Sequence, residues 1–152
     1  MAWAQTSTLA GRSSVQLAVF LVEDNTEIHE NLVGALEALT CVKVVGGATT
    51  EEGALAWIAA RADWHMVIVD LFLRGGSGMR LVQRVQRARA DQKIVVFSNY
   101  VNASVRKRCA QLGVDAVFDK STEIDALVDY CAHQCSLLVA RAASGPPAGG
   151  LP

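Results

Sequence analysis

The sequence predicts an α/β protein built as a doubly wound, five-stranded parallel sheet with five helices. Three observations carry that expectation. Short β-branched apolar runs occur five times along the chain. Segments with apolar residues three or four apart lie between them, as in helices with one buried face. The runs are close to continuously apolar, the pattern of strands covered on both sides. The length permits it: 152 residues, 51% hydrophobic and 19% charged, make about one domain with a sizeable core.

The elements follow in order. Residues 1–15 mix Ser, Thr, Ala and Gln without periodicity and are expected to be a flexible extension. The first strand is 17–22, ending at Glu23-Asp24. Its helix carries Ile28, Leu32, Leu36 and Leu39 and is opened by Asp24-Asn25, residues that cap helix N-termini well. The second strand is 42–45, and Thr49-Thr50 with Glu52 opens a helix carrying Ala54, Leu55, Ile58 and Ala59. The third strand, 66–69, precedes a helix opened by Ser77 and carrying Met79, Leu81, Val82 and Val85. The fourth strand, 94–97, precedes Val105, Cys109 and Leu112. The fifth, 114–118, precedes Ile124, Leu127, Val128 and Cys131, with Ser121-Thr122 as the helix start. Residues 139–152 hold all three prolines and several glycines; they are expected to be a disordered tail. The folded domain is thus placed at 16–138.

Composition excludes several functions. A net charge of −1 gives no bulk attraction to nucleic acid or membrane. Leu17–Val22 is too short for a span, which needs about 20 residues, and no targeting segment stands out. The four cysteines form no C-x-x-C pair and are expected to be reduced, mostly as small buried hydrophobes, which favours the cytoplasm. Arg84, Arg87, Arg89 and the run Arg106-Lys107-Arg108 read as solvated helix faces, the last also as a partner contact, with no direct nucleic-acid binding expected.

In an open parallel sheet, ligands bind beyond the carboxyl ends of the strands. There the chain places Glu23 and Asp24 after the first strand, Asp70 after the third, Ser98-Asn99-Tyr100 at the end of the fourth and Lys120 after the fifth. Three carboxylates at one edge call for compensation. Oxygen ligands suit Mg²⁺ or Mn²⁺, and Mg²⁺ leaves a carboxylate free as nucleophile. Asp70 also interrupts an apolar stretch, where an unpaired carboxylate is costly.

These residues resemble the response-regulator receiver domains of two-component signalling. The likeness covers about 16–138 and rests on Leu-Val-Glu-Asp-Asn at 21–25, Val-Ile-Val-Asp-Leu-Phe-Leu at 67–73 with Gly-Gly-Ser-Gly-Met at 75–79, Val-Val-Phe-Ser-Asn at 95–99, and Leu-Gly-Val-Asp-Ala-Val-Phe-Asp-Lys-Ser at 112–121. The resemblance implies a flavodoxin-like (CheY-like) fold and a phosphoacceptor at Asp70. Mg²⁺ would be held by Glu23, Asp24, Asp70 and the Phe72 carbonyl, and the phosphoryl group by Ser98 and Lys120. It implies a sensor histidine kinase or histidine phosphotransfer protein as donor and a downstream protein as target. It also offers a homodimer through the fourth-helix, fifth-strand and fifth-helix face. The expected function is a stand-alone response regulator rather than an enzyme acting on an external substrate.

The sequence departs from the family at Val117, where a switch aromatic is usual, and at Asn99, where a small residue is usual. Tyr100 is the alternative switch aromatic. Phe72 and Tyr100 occupy the two positions that tune dephosphorylation, and neither positions water well, so slow self-dephosphorylation is expected. Two other readings stand beside this one. One is a degenerate receiver acting as a phosphorylation-independent binding or dimerisation module. The other is a Mg²⁺-dependent phosphohydrolase, against which Phe72 counts, because that chemistry commonly wants an acid two residues after the nucleophile.

Overall fold

In a computed structural model, which describes residues 15–144, the strands are β1 (Leu17–Val22), β2 (Val42–Ala48), β3 (Met66–Val69), β4 (Lys93–Ser98) and β5 (Ala116–Asp119). The helices are α1 (Thr26–Leu39), α2 (Glu51–Ala59), α3 (Gly78–Arg84), α4 (Ala103–Gln111) and α5 (Ile124–Ser144). The strands pair in parallel in the order β2-β1-β3-β4-β5. This is the doubly wound sheet the sequence predicts, and its strand order reverses between β1 and β3.

Alternating side chains divide the core between two faces. Phe20, Val22, Val67, Val69, Ile94 and Val96 pack under α2, α3 and α4 through Ala54, Ile58, Leu81, Val82 and Cys109. Val19, Leu21, Met66, Ile68, Val95 and Phe97 pack under α1 and α5 through Leu32, Leu36, Leu127 and Cys131. Both faces are covered, which explains the unbroken apolar strands.

Caps explain most helix starts. Asn25, Thr50 and Ser77 each accept a hydrogen bond from the backbone three residues on, at 3.0, 3.0 and 3.1 Å. Asn102, not anticipated, does the same for α4 at 2.9 Å. Ser121 does not cap α5. Its hydroxyl donates to Asp119 Oδ1 at 2.5 Å, and the helix begins at Ile124. The fifth strand also starts later than predicted. Gly113, at φ +82°, ends α4, and Val114 N–H still bonds the Cys109 carbonyl at 3.0 Å.

Three further expectations are corrected. Cys41 and Cys135 form a disulfide with Cα atoms 5.8 Å apart, while Cys109 and Cys131 are free and buried. Only the packing of α5 against the start of β2 brings these distant residues together, and the cysteines no longer argue for the cytoplasm. Helix α5 runs to Ser144, so the domain limit at 138 falls inside it; residues 1–14 and 145–152 lie outside the described residues. Arg87 and Arg89 follow the end of α3 instead of lying on it, and they are structural. Arg87 bonds the Gln92 and Gly113 carbonyls and Asp115, at 2.9, 2.8 and 2.7 Å. Arg89 bonds Asp91 at 3.0 Å and the Trp64 carbonyl at 3.1 Å. Between them, the buried Gln92 amide donates to the carbonyls of Ala62 and Trp64 and accepts from Ala88 and Arg89 N–H. Arg84 is in ion pairs with Glu51 and Glu52. Among the described residues no helix is long and apolar enough to cross a membrane.

Candidate functional site

The ladder carries the site residues into place. Asp70 N–H continues the β1–β3 pairing by donating to the Val22 carbonyl at 3.0 Å. Glu23 N–H bonds the Ala48 carbonyl at 3.1 Å, and Lys120 N–H the Ser98 carbonyl at 3.0 Å. Glu23, Asp70, Ser98 and Lys120 therefore leave the same edge of the sheet, beside the reversal in strand order where a crevice is expected.

Asp70 is buried and fully engaged. Its Oδ1 accepts from Ser98 Oγ at 2.8 Å and from Phe72 N–H at 3.0 Å; its Oδ2 accepts from Lys120 Nζ at 2.8 Å. Ser98 Oγ in turn accepts from Leu71 N–H at 3.2 Å. Lys120 also reaches Glu23 Oε1 at 2.5 Å. Burial pulls the Lys120 pKa down, but the hydrogen bonds and charges of Asp70 and Glu23 outweigh it, and the ammonium is held above its usual value. Glu23 is further fixed by Asn25 N–H at 3.0 Å.

Asp24 is the third acid. Its Oδ2 accepts from Arg74 N–H at 2.6 Å, while the Arg74 guanidinium lies 3.9 Å away and is largely exposed. Glu23, Asp24 and Asp70 each offer a carboxylate oxygen within 4.8 Å of the others. Three formal negative charges thus meet one buried ammonium and one largely exposed guanidinium, and hard oxygen donors with surplus negative charge suit a divalent cation. The donor set fits Mg²⁺. They line a cleft of about 290 Å³. A larger cleft of about 450 Å³, between α2 and the segment after α3, is lined by no carboxylate.

The loop from Asp70 to α3 is close-packed. A Cβ at Gly78 would stand 2.0 Å from the Asp70 carbonyl oxygen, so only glycine allows α3 to start there. Phe72 and Tyr100 are both exposed at the cleft, their rings edge-to-face with centroids 6.1 Å apart. Tyr100 has φ +58°, an unusual conformation for a bulky residue. Asn99 is exposed at the same mouth. Val117 lies elsewhere: it packs on the face covered by α4, and its carbonyl accepts from Arg106 at 2.9 Å. Phe118 faces α5, edge-to-face with Tyr130.

Every predicted site residue except Val117 therefore gathers at one edge. Sequence reasoning missed Arg74, whose backbone orients Asp24, and Glu51, which is buried behind the loop. No composition signal marks a backbone donor, and Glu51 at a helix start reads as an ordinary exposed acid.

The parallel α/β sheet thus gathers three acids, a hydroxyl and a lysine at its switch edge. Residues 19–132 match the response regulator receiver domain family, and the chain belongs to that family of two-component systems, in which phosphorylation and Mg²⁺ are typical. It is 25% identical over 106 residues to the methanol utilization control regulatory protein MoxX of Paracoccus denitrificans, covering 70% of this chain and 48% of that protein. It is 28% identical over 102 residues to the response regulator UvrY of Escherichia coli O6:H1, covering 67% and 46%. The chain spans about half the length of these curated relatives. A CheY-like receiver domain protein from Methanospirillum hungatei JF-1 superposes with a TM-score of 0.68 at 19% identity, covering 83% of this chain and 98% of that one.

Proposed function

We propose that this receiver unit accepts a phosphoryl group on Asp70 from a histidine kinase or histidine phosphotransfer protein, in the cytoplasm, and signals by protein contact. The observation that carries the reading is the bracketing of the Asp70 carboxylate by Ser98 and Lys120 beside Glu23 and Asp24. An Asp70 oxygen attacks the phosphorus of a phosphohistidine. A P–O bond forms as the P–N bond breaks, and the imidazole leaves with the electron pair. The protein positions and neutralises. Glu23, Asp24, Asp70 and the Phe72 carbonyl would hold Mg²⁺, which supplies charge compensation for the phosphoryl oxygens. Lys120 exchanges its pairing with the Asp70 carboxylate for a phosphoryl oxygen, and Ser98 donates to another.

Ser98 already donates to Asp70 at 2.8 Å, so the added charge of about −1.5 to −2 shifts that hydroxyl from the carboxylate to a phosphoryl oxygen and moves the exposed Asn99-Tyr100 segment after it. That rebiases the surface formed by α4, β5 and α5, where a downstream protein or a second copy would bind. Phe72 has no polar group to orient attacking water and Tyr100 is a poor one, so the acyl phosphate is expected to persist. The test is intact mass after incubation with Mg²⁺ and acetyl phosphate, or with a phosphorylated histidine donor, beside Asp70→Asn. One added phosphoryl group, absent in the variant, supports the reading. No addition from either donor favours a phosphorylation-independent binding module.

A further inference from the structure

Behind the loop that links Asp70 to α3 sits a second carboxylate cluster. Glu51, the first residue of α2, is 1% exposed although charged. Its Oε1 accepts from Ser77 N–H at 2.9 Å and from Arg80 Nε at 2.9 Å; its Oε2 accepts from Arg80 Nε at 2.8 Å and from Arg84 Nη1 at 2.7 Å. Its own N–H donates to the Gly75 carbonyl at 2.9 Å, next to an isolated parallel bridge between Thr50 and Gly75. At Gly76, φ +107°, a Cβ would lie 2.5 Å from Glu51 Cβ and 2.8 Å from its Oε1. One side chain therefore fastens both the far half of the loop and the first turn of α3.

The near half of that loop carries the Phe72 carbonyl and the Arg74 N–H that orients Asp24. We infer that Glu51 is a positioning residue for divalent-cation binding: by stapling residues 75–77 to α2 it fixes the loop that aims Asp24 and the Phe72 carbonyl into the acidic cleft. This rests on the reading of that cleft as the phosphoacceptor site. A buried acid matched by two arginines has no surplus charge to offer a ligand, so its role is to hold shape. Partners that orient metal ligands are worth a large part of the affinity.

The test is calorimetric titration of the protein with Mg²⁺ alone, with amide hydrogen exchange of residues 71–77 as a second readout. Glu51→Ala is expected to weaken Mg²⁺ affinity about tenfold and to speed exchange in the loop. Glu51→Gln, which keeps an acceptor for Ser77 and Arg80, is expected to return affinity toward wild type. Ile94→Ala, a core change at the opposite edge of the sheet, should lower stability and leave affinity unmoved. Unchanged affinity in Glu51→Ala, or an equal loss in Ile94→Ala, overturns the inference. If Glu51→Ala does not fold, Arg80→Ala is read by the same criterion, with unchanged affinity again the overturning result. Wild-type protein that takes up neither Mg²⁺ nor a phosphoryl group would sink the receiver reading itself; a wild type that binds Mg²⁺ no better than the variants would sink only this inference.

Discussion

Two carboxylate clusters, each built on a buried acid, lie on either side of one loop, and they are balanced in opposite ways. Around Glu51 and Glu52 two acids meet the guanidinium groups of Arg80 and Arg84. Around Asp70 three acids meet one buried ammonium and, at Asp24, a largely exposed Arg74 guanidinium 3.9 Å away, which leaves one negative charge over. Both clusters satisfy their hydrogen bonds, since no buried side-chain polar atom among the described residues lacks a partner. Hydrogen bonding alone therefore does not separate a scaffold from a site; residual charge does. The neutral cluster is complete as it stands, whereas the acidic one gains from an added cation.

The largest loss of stability is expected outside both clusters, and it provides the yardstick. The Cys41–Cys135 disulfide closes a separation of 94 residues, and Cys135→Ser is expected to lower unfolding free energy by about 4 kcal/mol. Because it touches neither cluster, it should leave the Mg²⁺ affinity and the shape of the acid limb of the stability profile as they were. Urea unfolding with and without Mg²⁺ checks this, and a changed affinity would mean that α5 bears on the site.

Next comes the lysine. Lys120→Met keeps most of the buried stem but leaves Glu23 and Asp70 facing each other without a cation, and breaking a buried pair this way costs about 3 kcal/mol. Mg²⁺ should recover part of that loss, because it supplies charge where the ammonium was. A loss that Mg²⁺ does not touch would mean that Lys120 acts through packing alone.

The acid limb separates the clusters further. The Arg80 guanidinium, then that of Arg84, holds the Glu51 carboxyl at about 2, against the opposing pull of burial. A depressed carboxyl favours the folded state above its unfolded pKa of about 4.5, and that contribution drains away as pH falls toward 2. His65 acts in the same direction. Burial, with the Arg89 charge, lowers its pKa, and its Nδ1 accepts from Ala18 N–H at 2.7 Å, so the folded chain resists its protonation. Glu51→Gln should flatten the profile between about pH 4.5 and 2 while leaving the step near neutral pH in place. Urea midpoints across that range decide it; an unaltered acid limb would assign acid sensitivity to other groups.

The difference between the clusters also explains what the sequence could disclose. Asp70 was legible because it breaks an apolar strand run, and Glu23, Asp24, Ser98 and Lys120 because parallel topology puts strand ends together. The boundaries of β1 and β3 were legible because both faces of these strands are buried. Glu51 was not legible: an acid in the first turn of a helix normally faces water and favours the helix dipole, and only the tertiary approach of α3 buries it. Arg80 and Arg84 stay partly exposed on α3, and only the tertiary approach of α2 supplies the acids they pair with. Gln92 carries no periodic signal, because its work is to bond the backbones of two loops. Cys41 and Cys135 sit far apart in sequence, and local spacing says nothing of a bond that α5 packing creates.

The smallest effect is the most telling, because its sign differs between the clusters. Asp24→Asn removes one of three like charges yet keeps a carbonyl oxygen able to accept from Arg74 N–H, the bond now made at 2.6 Å. Relief of repulsion among carboxylates whose oxygens lie within 4.8 Å of one another is expected to raise stability by about 1 kcal/mol in the absence of divalent cations. Loss of the charge at Glu51, by contrast, leaves Arg80 facing a neutral partner and lowers stability. Adding Mg²⁺ should reverse the order at the site: the wild type gains by binding linkage, Asp24→Asn gains less, and their melting temperatures cross as Mg²⁺ rises. A substitution that destabilised the metal-free protein at Asp24 as well would mean that the two clusters are built alike, and that the surplus charge at the sheet edge is already compensated within the fold.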